Sequence, residues 1–368
     1  LICFSELFTY HSRAYINLDL FASLFVAANI FYFIFYHNDK NPIRKLIVPG
    51  ILTGLTIASK LKNYTDITIF DKSRGAGGRI CTRYAEPYVF DHGAQFFIAR
   101  SNKFQNFLEP MIQAGVIQSW NAKFVEIKKD KIISRRQWDN DNPHYVGSPT
   151  MISIGKYLSQ DLNVQLNSEI SINRSKDHWQ IVDKEGSDQG VFDWVISTAP
   201  VSQSAILLPV DFKFHETLLS RKMMGCFSLM IGFDDSLNLA WEAALVSEAD
   251  ISWISVNSSK PGRNGSFTLL VHSTNSWAEE NINQEKDAVI EHLMNETSKI
   301  IGKKVYDANH IDLHRWKYAN IKKQDVESPF IDENNQLAAC GDWCIKGRIE
   351  SAFLSGFDLA NEMRSLIN

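Results

Sequence analysis

Residues 71–79 read Asp71-Lys-Ser-Arg-Gly-Ala-Gly-Gly-Arg79, and they directly follow the run Asp66-Ile-Thr-Ile-Phe70. The apolar, β-branched run predicts a buried strand that ends at the carboxylate of Asp71. A carboxylate in this place accepts hydrogen bonds from ribose hydroxyls, while glycine backbone and arginine side chains approach a pyrophosphate. Upstream, residues 45–48 predict a first strand and residues 54–61 the helix after it. The pattern indicates a βαβ unit that binds a dinucleotide.

The composition is that of an ordinary globular protein with more than one domain. Of its 368 residues, 45% are hydrophobic and 22% are charged, which argues against a disordered chain. The net charge of −4 argues against a nucleic-acid-binding surface. Five cysteines do not make the even framework of a small secreted protein, so reduced thiols and a cytoplasmic location are expected. Cys340 and Cys344 lack a nearby partner pair for a metal site, so no metal is expected.

Residues 1–44 differ in composition from the rest of the chain. Residues 20–36 are almost continuously apolar or aromatic, and about 17 residues is the lower limit for a membrane-spanning helix. The flanks, with Glu6 and Asp19 and no small-residue cleavage site, do not suit a signal peptide. We interpret residues 1–44 as a hydrophobic extension that the fold does not need. The alternative is a genuine anchor, and the basic residues after it would then keep the remainder cytoplasmic.

Strand-like runs recur through the middle of the chain, including residues 164–172, 226–233 and 266–271. The end of the chain returns to the opening pattern, with a strand before Gly341-Asp342 and a helix over 349–366. We therefore predict an α/β fold whose nucleotide-binding domain is discontinuous and carries a mostly β insertion. The predicted parts are residues 45–115, 151–205 and 321–368 for the nucleotide-binding domain, and residues 116–150 and 206–320 for the insertion.

These motifs resemble those of FAD-dependent amine-oxidase-like enzymes, which carry an acid-ended second strand, a Gly-Gly-Arg loop and a Gly-Asp before the last helix. Within that superfamily, four segments look like the bacterial renalase-like NAD(P)H oxidases. They are Phe-Asp-His-Gly-Ala-Gln-Phe-Phe at 90–97, Asn-Ser-Ser-Lys-Pro-Gly-Arg at 257–263, His-Arg-Trp-Lys-Tyr-Ala at 314–319 and Gly-Asp-Trp-Cys at 341–344. The resemblance runs in consistent order over residues 45–368. It implies a Rossmann-type (two-dinucleotide-binding) FAD domain with an inserted, mostly β substrate domain.

The resemblance also implies the cofactor, noncovalent FAD, and its contacts. Asp71 would bind the adenosine ribose, Gly78 and Arg79 would approach the pyrophosphate, and the backbone of Ile170 would pair with the adenine. Asp342 would bind the ribityl–phosphate end, and the helix start near Gly347 would face the flavin's pyrimidine side. The candidate cofactor-binding residues are Gly50, Gly54, Asp71, Arg74, Gly78, Arg79, Ile170, Ala199, Gly341, Asp342, Gly347 and Ile349.

One departure from the family's pattern concerns its first loop, Gly-x-Gly-x-x-Gly. Counting back from Gly54 places the two earlier glycines at positions 49 and 51, which are Pro49 and Ile51 here. Proline removes a backbone N–H, and a β-branched side chain occupies space where backbone meets pyrophosphate. Gly50 is the candidate substitute through a shifted turn. The alternative outcomes are weakened FAD binding and a lost site.

The implied reaction transfers a hydride from the 2- or 6-dihydro isomers of NAD(P)H to FAD, which O2 reoxidises with formation of H2O2. Since the flavin supplies the redox chemistry, the protein has to bind, orient and shield it. We predict Gln95 and His272 as polar contacts of the flavin or substrate. Phe97, Trp253 and Trp316 are the candidate aromatic wall over the ring. Each has a structural alternative, because aromatic side chains in strands usually belong to the core, and Asp91 and His92 would only cap a turn.

Two other functions stay open at this point. Amine oxidases of this fold typically place a lysine near flavin N5 from a strand of the substrate domain, and the corresponding residues 226–233 contain none. We therefore expect a nicotinamide nucleotide as substrate and O2 as electron acceptor, with an FAD-dependent amine oxidase as the alternative. A non-catalytic relic with impaired FAD binding is the second alternative. We do not expect nucleic acid as a partner. A membrane is not expected either, unless residues 1–44 are an anchor.

Overall fold

A computed structural model describes residues 44–48, 51–263, 265–325 and 329–367 of the chain. They belong to one compact unit that begins at Arg44. The expectations for residues 1–43, Pro49 and Gly50 lie outside the described residues. Within the described ranges, no helix combines the length and the apolar character that crossing a bilayer requires.

The strands and helices of the described residues are named here in chain order. The strands are β1 (Arg44–Val48), β2 (Asp66–Phe70), β3 (Arg83–Ala85), β4 (Tyr88–Phe90), β5 (Ile117–Ser119), β6 (Lys123–Lys128), β7 (Lys131–Gln137), β8 (Tyr145–Gly147), β9 (Asn163–Gln165), β10 (Ile170–Ser175), β11 (His178–Asp183), β12 (Asp188–Phe192), β13 (Trp194–Ser197), β14 (Met224–Phe233), β15 (Ala243–Ser247), β16 (Ile251–Val256), β17 (Phe267–Ser273), β18 (His310–Asn320), β19 (Phe330–Asp332) and β20 (Leu337–Ala339). The α-helices are α1 (Ile51–Leu61), α2 (Asn102–Gln113), α3 (Ile152–Leu158), α4 (Val201–Leu207), α5 (His215–Ser220), α6 (Asn275–Asn281), α7 (Lys286–Ile301) and α8 (Ile349–Ile367).

A six-stranded sheet in the order β19-β20-β13-β1-β2-β9 forms the side of the protein that the sequence predicts to bind the nucleotide, called here the nucleotide side. Its neighbours are parallel except β19, which runs antiparallel to β20. Parallel strands require crossover connections, and α1 provides the one between β1 and β2. Val195 and Ile196 in the central β13 have no exposed surface, as expected for a parallel sheet covered on both faces. The sheet brings the carboxyl ends of β2, β13 and β20 to one edge.

Helices α1 and α8 pack closely against each other although they come from opposite ends of the described chain. A side chain at Gly356 would place its Cβ 2.8 Å from the backbone oxygen of Thr53. The hydroxyl of Thr53 donates to the backbone oxygen of Ala352 at 3.0 Å. Small residues on the facing surfaces therefore allow the two backbones to approach, and the packing joins the two ends of the discontinuous domain.

A seven-stranded sheet in the order β18-β14-β17-β16-β15-β6-β7 forms the inserted, mostly β part. Its neighbouring strands are antiparallel, except that β15 and β6 are parallel. One face packs on α6 and α7 through a separate apolar core that includes Ala278, Val289 and Leu293. A three-stranded sheet, β10-β11-β12, lies between β9 and β13 along the chain. The predicted α/β class with a mostly β insertion is confirmed.

The prediction of one strand over residues 164–172 is wrong. The chain breaks after β9, and Asn167 takes a positive φ of 55°, a conformation that asparagine tolerates better than most residues. The backbone N–H of Asn167 donates to the oxygen of Ser73, and that of Ser168 donates to the oxygen of Asp71. These bonds fasten the break to the segment after β2, so β9 and β10 belong to different sheets.

His272, predicted at the end of the strand over residues 266–271, is the penultimate residue of β17. Strand β17 continues to Ser273, so His272 lies inside the sheet with neighbouring strands on both sides. The hydroxyl of Ser273 accepts a hydrogen bond from the backbone N–H of Phe227 at 3.0 Å, which fixes the end of the strand against β14.

Candidate functional site

One cavity of about 2180 Å³ collects most of the residues predicted from the sequence. The predicted residues in its lining are Asp71, Arg74, Gly78, Arg79, Gln95, Phe97, Ile170, Ala199, Trp253, His272, Trp316, Asp342, Gly347 and Ile349. Gly54 and Gly341 are not in the lining. The cavity is larger than the roughly 300–1,000 Å³ of an ordinary small-molecule pocket. It lies at the carboxyl ends of β2, β13 and β20, where open α/β sheets bind ligands.

Asp71 stands at the end of β2 with only 4% of its surface exposed. Its Oδ1 accepts a hydrogen bond from the backbone N–H of Ser73 at 2.8 Å. Burial raises the pKa of the carboxyl above its ordinary value, and the hydrogen bonds from Ser73 oppose that shift. Ile170 begins β10 in the same wall of the cavity. A buried carboxylate at the carboxyl end of a strand suits the hydroxyls of a ribose.

The glycine-rich loop after Asp71 is held in place by close backbone contacts. Gly78 takes a positive φ of 49°, which favours glycine. A Cβ at Gly77 would lie 2.9 Å from Cα of Cys81, and a Cβ at Gly155 in α3 would lie 1.7 Å from the backbone oxygen of Ala76. The loop therefore needs small residues for its own packing, and its shape presents backbone to the cavity.

Arg79 and Asp342, two predicted cofactor contacts, bind each other. Nη1 of Arg79 donates to Oδ2 of Asp342 at 2.7 Å and Nη2 donates to Oδ1 at 2.5 Å. Burial lowers the pKa of Arg79, but the charge and hydrogen bonds of Asp342 outweigh it, so the pKa lies above its ordinary value. The ion pair links the glycine loop to the end of β20, and it neutralises the carboxylate beside the cavity.

The start of α8 forms the adjoining part of the wall. A Cβ at Gly347 would lie 1.9 Å from Oδ1 of Asn320, so no other residue fits there without rearrangement. The carboxylate of Glu350 accepts a hydrogen bond from the backbone N–H of Ser101 at 2.7 Å, which ties α8 to the start of α2. The backbone N–H groups at a helix start favour an anion or an acceptor group of a ligand.

Gln95 reaches the cavity wall, but its amide is fully occupied by protein groups. Nε2 donates to the backbone oxygens of Asp91 at 2.6 Å and Gly93 at 2.9 Å. Oε1 accepts from the hydroxyl of Ser255 at 3.0 Å and from Nζ of Lys260 at 3.1 Å. A glutamine amide has two donor hydrogens and two acceptor sites. Its predicted contact with flavin or substrate stays a prediction, and the geometry gives it a further role as a tie between the 91–95 turn and β16.

A buried network behind Gln95 was missed by the sequence analysis. Asp91 has no exposed surface; its Oδ2 binds the guanidinium of Arg263 and lies 3.6 Å from Nζ of Lys260. The turn-capping role expected for Asp91 is not observed: Oδ1 accepts hydrogen bonds from the hydroxyl of Thr82 and the backbone N–H of Met151, and the carboxylate is the counter-charge of two buried cations. Burial lowers the pKa of Lys260 to about 7, since the attraction of Asp91 is opposed by the charge of Arg263. The Lys-Pro-Gly-Arg segment was visible in the sequence, but its partner lies 172 residues away.

Four strands of the seven-stranded sheet place four side chains side by side in register. Trp253 pairs with His272, His272 with Ser228, and Ser228 with His314. Directly opposite residues in a sheet share a face, so these four residues, here called the polar row, lie on one face. The neighbouring row, Ile254, Val271, Leu229 and Leu313, belongs to the apolar core on the other face.

Three members of the polar row carry buried atoms that have no hydrogen-bond partner among the described residues. They are Nε1 of Trp253, Oγ of Ser228 and Nε2 of His272. Trp253, His272 and His314 line the cavity, whereas Ser228 does not. Burial lowers the pKa of His272 and of His314 to about 4, so both rings are neutral at pH 7. The three unpartnered atoms are themselves buried, so they lie beneath the surface of the cavity wall.

The remaining aromatic candidates serve both the core and the cavity. The indole N–H of Trp316 donates to the backbone oxygen of His92 at 2.9 Å, and the two rings stack with centroids 5.4 Å apart. Phe97 packs on the rings of Phe104 and Tyr145 and is 6% exposed. Trp316 and Phe97 therefore pack against neighbouring rings and also line the cavity.

Cys81 and His92 form a contact that resembles a nucleophile pair but has the wrong electrostatics for one. Sγ of Cys81 lies 3.2 Å from Nε2 of His92. Burial raises the pKa of the Cys81 thiol to about 12 and lowers the pKa of His92 to about 3. Both groups are neutral at pH 7, so the pair does not supply a thiolate.

Two sequence families match the chain in agreement with this architecture. The family described as flavin containing amine oxidoreductase matches residues 145–364, and the NAD(P)-binding Rossmann-like domain matches residues 50–110. The structure of a protein from Exiguobacterium sp. 255-15, provisionally assigned as a protoporphyrinogen oxidase, has a TM-score of 0.71 at 11% identity, covering 87% of this chain and 98% of that chain. Wild-type putrescine oxidase bound to putrescine gives a TM-score of 0.63 at 10% identity, covering 88% of this chain and 99% of that chain. At such low identities the likeness shows a common fold.

Proposed function

The chain belongs to the flavin-containing amine oxidoreductase family, and from this premise we propose that it is a renalase-like FAD oxidase of dihydronicotinamide nucleotides. Its substrates would be the 2- or 6-dihydro isomers of NAD(P)H. When bound, the flavin would accept a hydride from the substrate and pass its electrons to O2, giving H2O2. The four segments that resemble the bacterial renalase group support this choice within the family.

The described residues fit a noncovalent FAD. Asp71 offers a buried carboxylate for the ribose, and the 75–78 loop offers backbone at close range. The start of α8, with Gly347 and Ile349 in the cavity wall, offers backbone donors for the flavin ring. Trp253, His272 and His314 of the polar row line the cavity and would be the part of the seven-stranded sheet that a ligand meets. Ala199 and Arg74, also in the wall, complete the set that would hold the cofactor.

The part of the cavity wall that comes from the seven-stranded sheet is here called the substrate wall. Its charge is the observation that supports the choice of substrate. Among the described residues, the part of the lining that comes from β14, β16, β17 and β18 contains no carboxylate. Arg315 and Lys317 alternate with His314 and Trp316 in β18, so their side chains lie on the other face of the sheet, where Arg315 donates to the backbone oxygen of Gln284. A cationic amine would have no counter-charge on such a wall, which therefore favours an uncharged reacting group such as a dihydronicotinamide ring. The neutral rings of His272 and His314 also suit a hydride donor whose oxidation needs no strong base.

The residues of the chain would bind and shield rather than react. Trp253 and Trp316 present aromatic surface beside which a flat nicotinamide ring can lie. Gln95, held on all sides, fixes the wall between the glycine loop and β16. Because Trp253 and Gln95 are buried, this wall would exclude water from the place of hydride transfer. The amine-oxidase alternative would require an acidic or lysine side chain in the same wall.

Two measurements test the proposal. The purified protein should be yellow, with absorbance near about 450 nm that acid precipitation releases into the supernatant, as for any noncovalent oxidised flavin. Anaerobic stopped-flow mixing with 2- or 6-dihydro-NAD should bleach this absorbance rapidly, and amines such as putrescine should bleach it slowly or not at all. Bleaching by amines alone would establish the amine-oxidase alternative. A colourless protein that added FAD does not reconstitute would indicate the non-catalytic relic.

A further inference from the structure

His314 lies in β18, an edge strand of the seven-stranded sheet, and its half-buried side chain lines the cavity. Nδ1 of its ring is 3.4 Å from Nη2 of Arg83. Nε2 has no hydrogen bond to the described residues, and unlike Nε2 of His272 it is not enclosed by protein. One ring nitrogen of His314 is therefore occupied by a protein group, and the other is open to the cavity.

The hydrogen bond at Nδ1 defines the tautomer of His314. A guanidinium group has only donors, so Nδ1 has to accept the hydrogen bond from Arg83. A ring that accepts at Nδ1 is neutral and carries its proton on Nε2. The pKa of His314 agrees, because burial and the charge of Arg83 lower it to about 4 against the smaller effect of Asp312. His314 therefore presents an N–H donor to the cavity.

Two further charged residues hold the guanidinium of Arg83 in this position. Nη1 of Arg83 donates to Oδ2 of Asp312 at 2.7 Å, and Oδ1 of the same carboxylate accepts from Nζ of Lys286 at 2.7 Å. Asp312 and His314 are two positions apart in β18, so their side chains share one face of the strand. The four residues form a hydrogen-bonded chain, Lys286–Asp312–Arg83–His314, that ends at Nδ1 and fixes the orientation of the ring.

The surroundings of the ring are aromatic. The ring of Trp316 crosses that of His314 with centroids 4.2 Å apart, and the ring of His92 does so at 4.9 Å. The charged and titratable groups that face His314 from the described residues are Arg83, Asp312 and His92. Burial lowers the pKa of His92 to about 3, so that ring is neutral at pH 7, and both terminal nitrogens of Arg83 bind within the chain. A single uncharged donor among rings suits an acceptor on a flat ligand ring better than a phosphate, which favours charged donors.

We propose that Nε2 of His314 donates a hydrogen bond to the carboxamide oxygen of the substrate's nicotinamide ring, and that Arg83 is the positioning residue that holds the required tautomer. The carboxamide oxygen is the one strong acceptor on that ring, because the amide nitrogen is a donor and the ring nitrogen is part of the conjugated system. This assignment rests on the proposed function, and it adds the group that recognises the ring. It requires the carbonyl oxygen of the substituent but not its amide nitrogen.

Equilibrium binding of oxidised dinucleotides, the products of the proposed reaction, to the flavin-loaded protein tests the donor, followed by the perturbation of flavin absorbance at saturating FAD. The probes are NAD+, 3-acetylpyridine adenine dinucleotide, which keeps the carbonyl oxygen but lacks the amide nitrogen, and pyridine adenine dinucleotide, which lacks the whole carbonyl group. Wild-type protein should bind the first two alike and the third about 10-fold more weakly. His314→Phe should weaken the first two by about 10-fold and leave the third unchanged, so that the three affinities converge.

Two results would overturn the assignment of His314. If the donor serves a phosphate, or if the ring is purely structural, His314→Phe should weaken all three dinucleotides by the same factor. Wild-type protein that binds pyridine adenine dinucleotide as tightly as NAD+ would contradict the assignment without any variant.

The pH dependence of Arg83→Met tests the role of Arg83 separately. The charge of Arg83 lowers the pKa of His314, so this substitution should raise it. At about pH 8 the neutral ring of the variant divides between two tautomers, and the preference for NAD+ over pyridine adenine dinucleotide should fall to about 3-fold. Near about pH 5.5 the ring takes up a second proton, both nitrogens carry a hydrogen, and the preference should recover. The wild-type preference should not change over this range, and a variant that matches it at every pH would show that Arg83 does not set the tautomer.

Arg136→Met is the control for Arg83→Met. Arg136 lies in β7 at the opposite edge of the same sheet, where it forms an ion pair with Glu126. Its substitution also removes one arginine from an ion pair, and it should leave the preference for NAD+ as in the wild type at every pH.

Anaerobic bleaching by the dihydro isomers distinguishes failure of this assignment from failure of the proposed function. If the isomers bleach the wild-type flavin but His314→Phe weakens all three dinucleotides equally, the proposed function stands and the assignment of His314 is wrong. If the isomers do not bleach the flavin and no dinucleotide binds, both are wrong.

Discussion

Both carboxylate oxygens of Asp342 accept hydrogen bonds from the terminal nitrogens of Arg79, although the two residues are 263 positions apart in the chain. The pair joins the glycine loop after β2 to the end of β20. Only 4% of the Asp342 side chain is exposed, against 28% of Arg79. Asp342 therefore depends on Arg79 for its neutralisation more than Arg79 depends on Asp342.

This asymmetry predicts unequal effects of the two single substitutions. Arg79→Met should lower the free energy of unfolding by about 3 kcal/mol, because it leaves a buried carboxylate without its partner. Asp342→Asn should cost roughly half as much, since Arg79 keeps access to water. Urea denaturation of the flavin-free protein measures both. The double variant should be more stable than the sum of the single effects indicates, and strict additivity would contradict a direct coupling.

Lys260 gives the protein a dependence of stability on pH. Its folded-state pKa of about 7 lies below the ordinary value of 10.5, because burial and Arg263 outweigh Asp91. Between these values the unfolded state holds a proton that the folded state has lost, so stability rises with pH. The rise is at most roughly 1.4 kcal/mol per pH unit for one group. Below about pH 7 both states are protonated and the contribution is constant.

Thermal unfolding of wild type and Lys260→Gln from pH 6 to 9 measures this contribution. The melting temperature of the wild type should gain on that of the variant as the pH rises through 7 and 8. The exposed Lys131 supplies the control, because Lys131→Gln removes a lysine outside the network. A difference between wild type and Lys260→Gln that stays flat or shrinks with rising pH would show that Lys260 remains charged in the folded protein.

Gln95 should be far more important for stability than an ordinary glutamine. Gln95→Ala removes four hydrogen bonds at once and leaves Lys260, Ser255 and two carbonyl oxygens without this partner. We expect a loss of about 3 kcal/mol in the free energy of unfolding, which reflects several unsatisfied buried groups. Gln105→Ala is the matched control, because that exposed amide contacts one backbone oxygen. Similar losses of unfolding free energy in Gln95→Ala and Gln105→Ala would contradict the role of Gln95 as a link between the 91–95 turn and β16.

The carboxylate of Asp71 should contribute directly to the affinity for FAD. Asp71→Asn keeps the size of the side chain but loses the charge, so FAD binding should weaken by about 10- to 100-fold, as for a lost hydrogen bond to a charged group. Asp66→Asn, on an exposed residue at the start of the same strand, should leave the affinity unchanged. Titration of the flavin-free protein with FAD, followed by flavin fluorescence, gives both dissociation constants. Equal FAD affinities of the wild type and Asp71→Asn would show that the ribose does not bind at Asp71.

The local pattern of the sequence was sufficient to predict β2 and the position of Asp71. The run of five residues before the acid, with Ile67, Ile69 and Phe70 as its apolar members, forms the strand at Asp66–Phe70, because strand period and burial are local properties of the chain. The break after β9 was not predictable in this way. It depends on hydrogen bonds from Asn167 and Ser168 to a segment about 95 residues earlier, and no local pattern records them.

The residues of the site were predicted individually, but their arrangement was not. Trp253 and His272 were both named from the sequence, whereas their pairing depends on the register of two strands. One local pattern in the sequence does indicate part of this arrangement. In β18 the residues His314 and Trp316 alternate with Leu313 and Arg315, a period of two that predicts a polar and aromatic face. The ion pairs of Asp91 depend on tertiary packing alone.

The contact between α1 and α8 has a consequence for the order of events during synthesis. Thr53 and Ala352 are 299 residues apart, so ribosomes working at about 5–20 residues per second take roughly 15 to 60 seconds between them. During that time α1 lacks the helix that covers it, whereas β9 and β13, the strands that pair with β2 and β1, and the strands of the inserted sheet are synthesised earlier. The nucleotide side is therefore the last part to be completed, and a bulky residue at Gly356 would reduce the yield of finished protein through this late step.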